Sequence, residues 1–190
     1  DKIESVISII QSASCYGYND GSAWVTSSGG IPTYTYQWSN GQPLSINMPD
    51  TAFSLSQGSY YVTTTDILGC EVIDSIYISE PEPLVMEALE ISWISCFGAN
   101  DGVACAIAYG GTAPYTFNWD NNQWIGDTII TLTPGVHTVV VTDVNGCTDS
   151  SLTSTNPLAR DTVLTHEPPA LFVIIDDNQT ILPYCVGVNT

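Results

Sequence analysis

The chain has 190 residues, 44% of them hydrophobic and only 12% charged, which is enough apolar material for one or two packed domains and too much for a disordered tail. Twenty Asp and Glu face Lys2 and Arg160 alone, for a formal charge of -18. A surface this poor in cations repels phosphate backbones and anionic lipid headgroups, which excludes nucleic-acid binding and electrostatic membrane binding.

In chain order, the first strand signal is the β-branched run Val6 to Ile10. The stretch Cys15 to Trp38, CYGYNDGSAWVTSSGGIPTYTYQW, follows; its Asn-Asp-Gly and Gly-Gly clusters are turns, and it ends in an alternating run from Thr33 to Trp38. A Ser-Asn-Gly turn, a strand run from Ser59 to Thr65, a Gly-Cys turn and a run from Val72 to Ile78 complete the unit. Glu80, Pro81, Glu82 and Pro83 then form a short, stiff joint, because proline removes donors and holds the chain extended.

The unit then begins again. Cys96 to Trp119 lies over Cys15 to Trp38 at an offset of 81, with 11 of 24 positions identical. Leu132 to Cys147 lies over Leu55 to Cys70 at an offset of 77, with 7 of 16 identical. Glu167 and Pro168 match Glu80 and Pro81 at an offset of 87, which places ten extra residues near 156–165. Cys185, Gly187 and Asn189 restart the pattern. The predicted domains are therefore 1–83, 84–169 and the beginning of a third at 170–190, in a longer tandem array. The chain opens at Asp1 with no basic leader, and is expected to be a mature chain or an internal segment. No apolar run approaches the roughly 18 residues of a membrane helix.

No segment keeps a helical period. Strands every 8 to 12 residues in units of about 85 predict an all-β fold of tandem immunoglobulin-like β-sandwich domains, about seven strands each, with Trp38 and Trp119 as core anchors.

In order, the motifs are C-x-G-x-N-D-G, G-G with a nearby proline, Y-x-[YF]-x-W, G-x-[YH]-x-V, T-D-x-x-G-C and E-P. Twice over, this resembles the SprB repeat of large cell-surface proteins of Bacteroidota, including a gliding-motility adhesin. The resemblance implies type IX secretion, an extracellular location on the bacterial outer surface, and a role in adhesion or gliding; the Pro-rich joints and the restart of the pattern favour a stalk or filament module.

Six cysteines allow many pairings, but the recurrence of Cys15 and Cys70 as Cys96 and Cys147 favours one bridge per domain, each worth about 4 kcal/mol by loop entropy. Zinc is the alternative, yet there is no C-x-x-C and only His137 and His166 are available. Cys105 stands where the first copy has Trp24, and Cys185 awaits a partner in the third copy. If the bridges form, they bring Asn19, Asp20 and Asp66 to one pole, and Asn100, Asp101 and Asp143 likewise. Such oxygen clusters suit Ca²⁺, which takes about six to eight ligands. The same residues are also ordinary turn formers, Asp at the first position and Gly at the fourth.

No nucleophile–histidine setting and no phosphate loop is present, so an enzyme is not expected. The Bacteroidota O-glycosylation pattern, Asp-[Ser/Thr]-apolar, occurs at Thr51, Ser75, Thr128 and Thr162. Trp24, Trp93 and Trp124 have no tryptophan counterpart in the other copy and are candidates for stacking on sugar faces. The expected partners are neighbouring repeats of the same chain, polysaccharide or other surface ligands, and further copies in lateral self-assembly into a filament through edge strands.

Overall fold

The computed structural model describes residues 2–46, 49–120, 123–150 and 162–168. The chain divides into two compact units, Asp1–Pro83 and Leu84–Thr190. All regular structure among the described residues is strand, and no helix there is long and apolar enough to cross a membrane.

In the first unit, β1 (Glu4–Gln11), β2 (Gly21–Ser28) and β4 (Asp50–Leu55) form one sheet in the order β1-β2-β4. The second sheet has the order β3-β5-β6, from β3 (Thr35–Trp38), β5 (Gly58–Thr65) and β6 (Glu71–Ile78). All pairings are antiparallel. Alternation along each strand sends one set of side chains inward: Ala23, Val25 and Ser27 of β2 are buried, while Trp24 and Ser28 between and beyond them are exposed. The inward sets of the two sheets meet as one core of Ile3, Val25, Tyr36, Trp38, Leu55, Val62 and Ile78 with smaller neighbours. Each fully buried aliphatic chain there contributes about 1.5–3 kcal/mol.

The second unit repeats the plan. Its sheets are β11-β8-β7 and β10-β9-β12-β13, with β14 also on β12. The strands are β7 (Val85–Ser92), β8 (Gly102–Tyr109), β9 (Thr116–Trp119), β10 (Trp124–Ile125), β11 (Thr128–Leu132), β12 (Gly135–Thr142), β13 (Thr148–Ser150) and β14 (Thr162–Thr165). Trp119, Leu132, Val139 and Val141 are fully buried at its centre. Two antiparallel sheets packed face to face in this order, three strands against three in the first unit and three against five in the second, with the first and last strands in opposite sheets, make immunoglobulin-like sandwiches.

Against about seven strands each, the first unit has six among the described residues and the second eight. In the first unit, residues 39–46 carry the chain back between β3 and β4 with only an isolated Tyr36–Ser45 bridge. In the second, β10 is a true strand, and the last strand is divided into β13 and β14, which pair with successive parts of β12. The extra residues expected near 156–165 fall mainly outside the described residues, as do Cys185 and the expected third-repeat start at 170–190.

Register defines two poles in each sandwich. In the first, Thr65 pairs with both Thr35 and Glu71 at the upper pole, and Gly58 pairs with Ile78 at the lower. The strand β1 starts beside Ser28 at the upper pole and β6 ends at the lower. The second sandwich follows suit, with Thr142 opposite Thr116 and Thr148 above and Gly135 opposite Thr165 below.

Candidate functional site: loop clasps at the two poles

The motif residues of the sequence gather at these poles, and most are spent on holding backbone. At the upper pole of the first sandwich, the Asp66 carboxylate accepts three backbone N–H groups. Oδ1 takes those of Leu68 (3.0 Å) and Cys70 (2.9 Å), and Oδ2 takes that of Ile31 (3.1 Å). Asp143 does the same in the second sandwich, toward Asn145 (2.9 Å), Cys147 (2.9 Å) and Thr112 (2.8 Å). One side chain thus fixes its own T-D-x-x-G-C turn and ties it to the Gly-Gly loop. The fit explains the second glycine. Gly30 and Gly111 have φ of 56° and 55°, and a Cβ there would stand 2.8 and 2.9 Å from the carboxylate Oδ2. The tyrosine after the Gly-Gly pair closes the same loop: Tyr34 donates its hydroxyl to the Gly29 carbonyl, and Tyr115 to that of Gly110 at 2.6 Å.

At the lower pole the C-x-G and E-P motifs meet. Glu80 Oε2 accepts the Gly17 N–H at 2.7 Å, and Glu167 Oε2 accepts that of Gly98 at 2.9 Å. The Asp of N-D-G reaches back to the residue before the cysteine: Asp20 accepts the Ser14 N–H at 2.9 Å, and Asp101 that of Ser95 at 3.0 Å. The joint glutamate is therefore part of the sandwich, a link that the sequence offered only as two motifs recurring together.

Electrostatics follow the hydrogen bonds. The Cys70 N–H, assisted by those of Ile31 and Leu68, holds the Asp66 carboxyl below the usual range against the opposing effect of burial. The Ser14 side chain and N–H lower Asp20, and those of Ser95 lower Asp101.

Two expectations are corrected here. The strands β2 and β5 both run from the lower to the upper pole; Cys15 precedes the one and Cys70 follows the other, so the two cysteines lie at opposite ends of the sandwich. Seven residue steps along β5 span roughly 23 Å, whereas a disulfide needs Cα atoms about 4.4–6.8 Å apart. Cys70 is a free, exposed thiol, and the Cys15–Cys70 bridge is not formed. Cys96 and Cys147 stand at opposite poles in the same way, which excludes a bridge between them. Cys15, Cys96 and Cys147 are nonetheless disulfide-bonded. Cys105 is a half-buried free thiol.

The calcium arrangement falls with the bridges. Asn19 and Asp20 are at the lower pole and Asp66 at the upper, and Asn100 and Asp101 are likewise separated from Asp143. The carboxylates of Asp20, Asp66, Asp101 and Asp143 are turned to backbone donors, and no group of three metal-ligating side chains occurs among the described residues.

The three tryptophans do not make one platform. Trp24 is 38% exposed on β2, Trp93 is 74% exposed beyond the end of β7, and Trp124 packs against the second core beside Trp119. Of the glycosylation candidates, Ser75 and Thr128 are exposed on edge strands β6 and β11, Thr51 is half-buried on β4, and Thr162 lies in β14 with Asp161 outside the described residues.

The sequence missed a pair in the second sandwich, a buried histidine on a half-buried aspartate. His137 Nδ1 and Asp120 Oδ2 are 2.6 Å apart, and His137 Nε2 faces the Thr133 carbonyl at 2.9 Å. His137 occupies the Tyr60 position, where a hydroxyl instead bonds Ser56. Asp120 Oδ1 also accepts the Thr138 N–H at 2.8 Å and the Thr138 hydroxyl at 3.4 Å, so the pair joins β12 to the turn after β9.

The sequence model of the SprB repeat matches residues 7–43 and 90–123, the stretches that hold the C-x-G-x-N-D-G turn, the Gly-Gly loop and the core tryptophan of each sandwich. No curated protein matches the chain. Among solved structures, the three N-terminal domains of the bacteriophage RB49 highly immunogenic outer capsid protein align at 18% identity and a TM-score of 0.46, covering 77% of this chain and 58% of that one. The C-terminal 282-residue fragment of intimin, solved with the intimin-binding domain of its translocated receptor, aligns at 14% identity and a TM-score of 0.38, covering 87% and 64%. The chain spans less than two thirds of either structure.

Proposed function

We propose that this chain, which carries two SprB repeats, is a non-catalytic stalk or filament segment of a large bacterial surface adhesin, exported to the outer face of the cell for attachment or gliding. The observation that carries this reading is the use of the repeated motif residues. Asp66, Asp143, Glu80, Glu167, Tyr34 and Tyr115 are spent on clasping loops at both poles. Each sandwich also admits the chain at one pole and releases it at the other, as a module in a linear array requires. With 20 acids and two cations, copies repel one another at long range, which keeps such an array soluble and extended. Surface O-glycans on Ser75 and Thr128 suit the same setting.

Immunogold labelling of intact cells with antibody to these two repeats tests the reading. Label on fibrils outside the outer membrane is expected; label confined to the cell interior overturns it. A second reading, a polysaccharide-binding module, rests on Trp93, whose indole is mostly in solvent. Binding on a glycan array that is lost in Trp93→Ala at unchanged melting temperature favours recognition, and an array blank for the wild-type chain removes it.

A further inference from the structure

The cysteines pose a problem that the sandwich alone does not solve. Each repeat carries one cysteine at its lower pole, in C-x-G-x-N, and one at its upper pole, in T-D-x-x-G-C. The length of the sandwich forbids their union, yet three of these four sulfurs are in disulfides and Cys70 is not.

Cys70 and Cys147 occupy the same turn, held by the same three N–H groups on one aspartate. The sulfurs differ: Cys147 is buried and bonded, whereas Cys70 is exposed and reduced. The turn therefore presents its sulfur in a geometry that accepts a disulfide, and the bond it accepts is not to the cysteine of its own sandwich.

We propose that Cys70 is an attachment point between repeats, and that its sulfur takes a disulfide to the C-x-G-x-N cysteine of another SprB repeat preceding Lys2 in the array. The pole argument selects that partner. A repeat enters its sandwich above and leaves it below, so a repeat joined ahead of Lys2 ends on the pole that carries its C-x-G-x-N turn. The residues from Ser79 to Leu84 separate β6 from β7, and a joint of that length spans at most about 20 Å even when fully extended.

The chemistry balances as thiol–disulfide exchange. An oxidant of the disulfide class, such as a dithiol–disulfide oxidoreductase or oxidised glutathione, first forms a mixed disulfide with one cysteine. The thiolate of the other attacks that cysteine's sulfur and expels the remaining oxidant thiolate. Two protons and two electrons leave the cysteine pair, and the oxidant ends as two thiols. An oxidising compartment outside the cytoplasm supplies the setting.

The inference rests on the tandem-array reading, and the two fail separately. The test is disulfide mapping of the intact surface protein, released from cells with free thiols alkylated at lysis. Digestion uses a protease that does not depend on basic residues, since Lys2 and Arg160 are the only ones here. The expected product joins the Cys70 peptide to a C-x-G-x-N peptide from outside residues 1–190. Cys70 recovered alkylated in a protein with a preceding repeat overturns the staple and leaves the array standing; a Cys70–Cys15 peptide overturns it too. A native protein with no repeat ahead of Lys2 overturns the staple as well, and leaves the tandem pair of repeats within residues 1–169 untouched. As a control on the 190-residue chain, Cys70→Ser is expected to lower the titratable thiol by one equivalent at unchanged melting temperature.

Discussion

The two sandwiches share their poles and differ in their cores. Ser27, Tyr36 and Thr64 place three hydroxyls inside the first sandwich, none with a hydrogen bond of normal geometry. The aligned residues of the second are Ala108, Phe117 and Val141. Tyr36 and Thr64 face each other across β3 and β5. Burial raises the Tyr36 phenol above its usual value, and the nearby Ser27 hydroxyl offsets part of that rise. All three positions are polar in one copy and all three apolar in the other. An orphaned buried hydroxyl costs about 1–3 kcal/mol, whereas removing every member of such a set is close to neutral. The comparison teaches that the interior is interchangeable as a set, while the clasps at the poles recur residue for residue.

The largest expected effect tests what the cores have in common. Trp38→Ala and Trp119→Ala each remove a central buried ring, whose indole N–H bonds Asp50 (2.7 Å) and the Gly126 carbonyl (3.0 Å). Each is expected to cost about 3–5 kcal/mol in denaturant melts; a loss under 1 kcal/mol in either would show that the shared anchor is not one. Next comes Phe117→Tyr, which adds a lone hydroxyl to a half-buried ring packed against the apolar core of the second sandwich. About 1–3 kcal/mol should be lost, and no loss would mean that the second core accommodates the hydroxyl after all.

The clasps are sharpened by acid. Asp20, Asp66 and Asp101 have folded-state values below their unfolded ones. Their contribution is therefore complete above the ordinary carboxylate range and is lost as pH falls through the folded values, below about pH 4. Neutralising the other acids relieves self-repulsion at the same time, so the informative measurement is a difference. Melting temperature followed from pH 7 to 2.5 should fall less steeply at the acid end in Asp66→Asn than in the wild type, and equal slopes would remove Asp66 from the account. The smallest effect is expected from the set replacement Ser27→Ala, Tyr36→Phe and Thr64→Val, which gives the first sandwich the second's interior. Stability should stay within about 1 kcal/mol of the wild type or rise. A substantial loss would instead mean that the three hydroxyls hold one another.

The strands were legible in the sequence because alternation has a physical period, and the repeat doubled every such signal: the run Ser59 to Thr65 is β5 but for one residue. The core tryptophans were legible for the same reason. The poles were not. Whether Cys15 meets Cys70 depends on how many times the chain reverses between them, and residues 39–46 return it without forming a regular strand. A missed reversal moves a cysteine to the far end of the molecule, taking with it a disulfide and a metal site inferred from it. The acidic turn residues were read correctly as turn formers, but their reach to a second loop, as from Asp66 to Ile31, appears only in three dimensions. His137 and Asp120, 17 residues apart, carried no shared motif to announce them.

The direction of the outer strands has a mechanical consequence. In the first sandwich β1 and β6 lie side by side in different sheets, and both run from the upper pole to the lower. Tension applied through Lys2 and Ser79 acts along the strand axes, so the ladder bonds of β1 to β2 and of β6 to β5 are strained together in shear instead of being peeled one at a time. The Glu80–Gly17 bond adds a latch where tension enters from the joint. A fold whose termini leave at opposite ends thus resists extension through whole ladders at once.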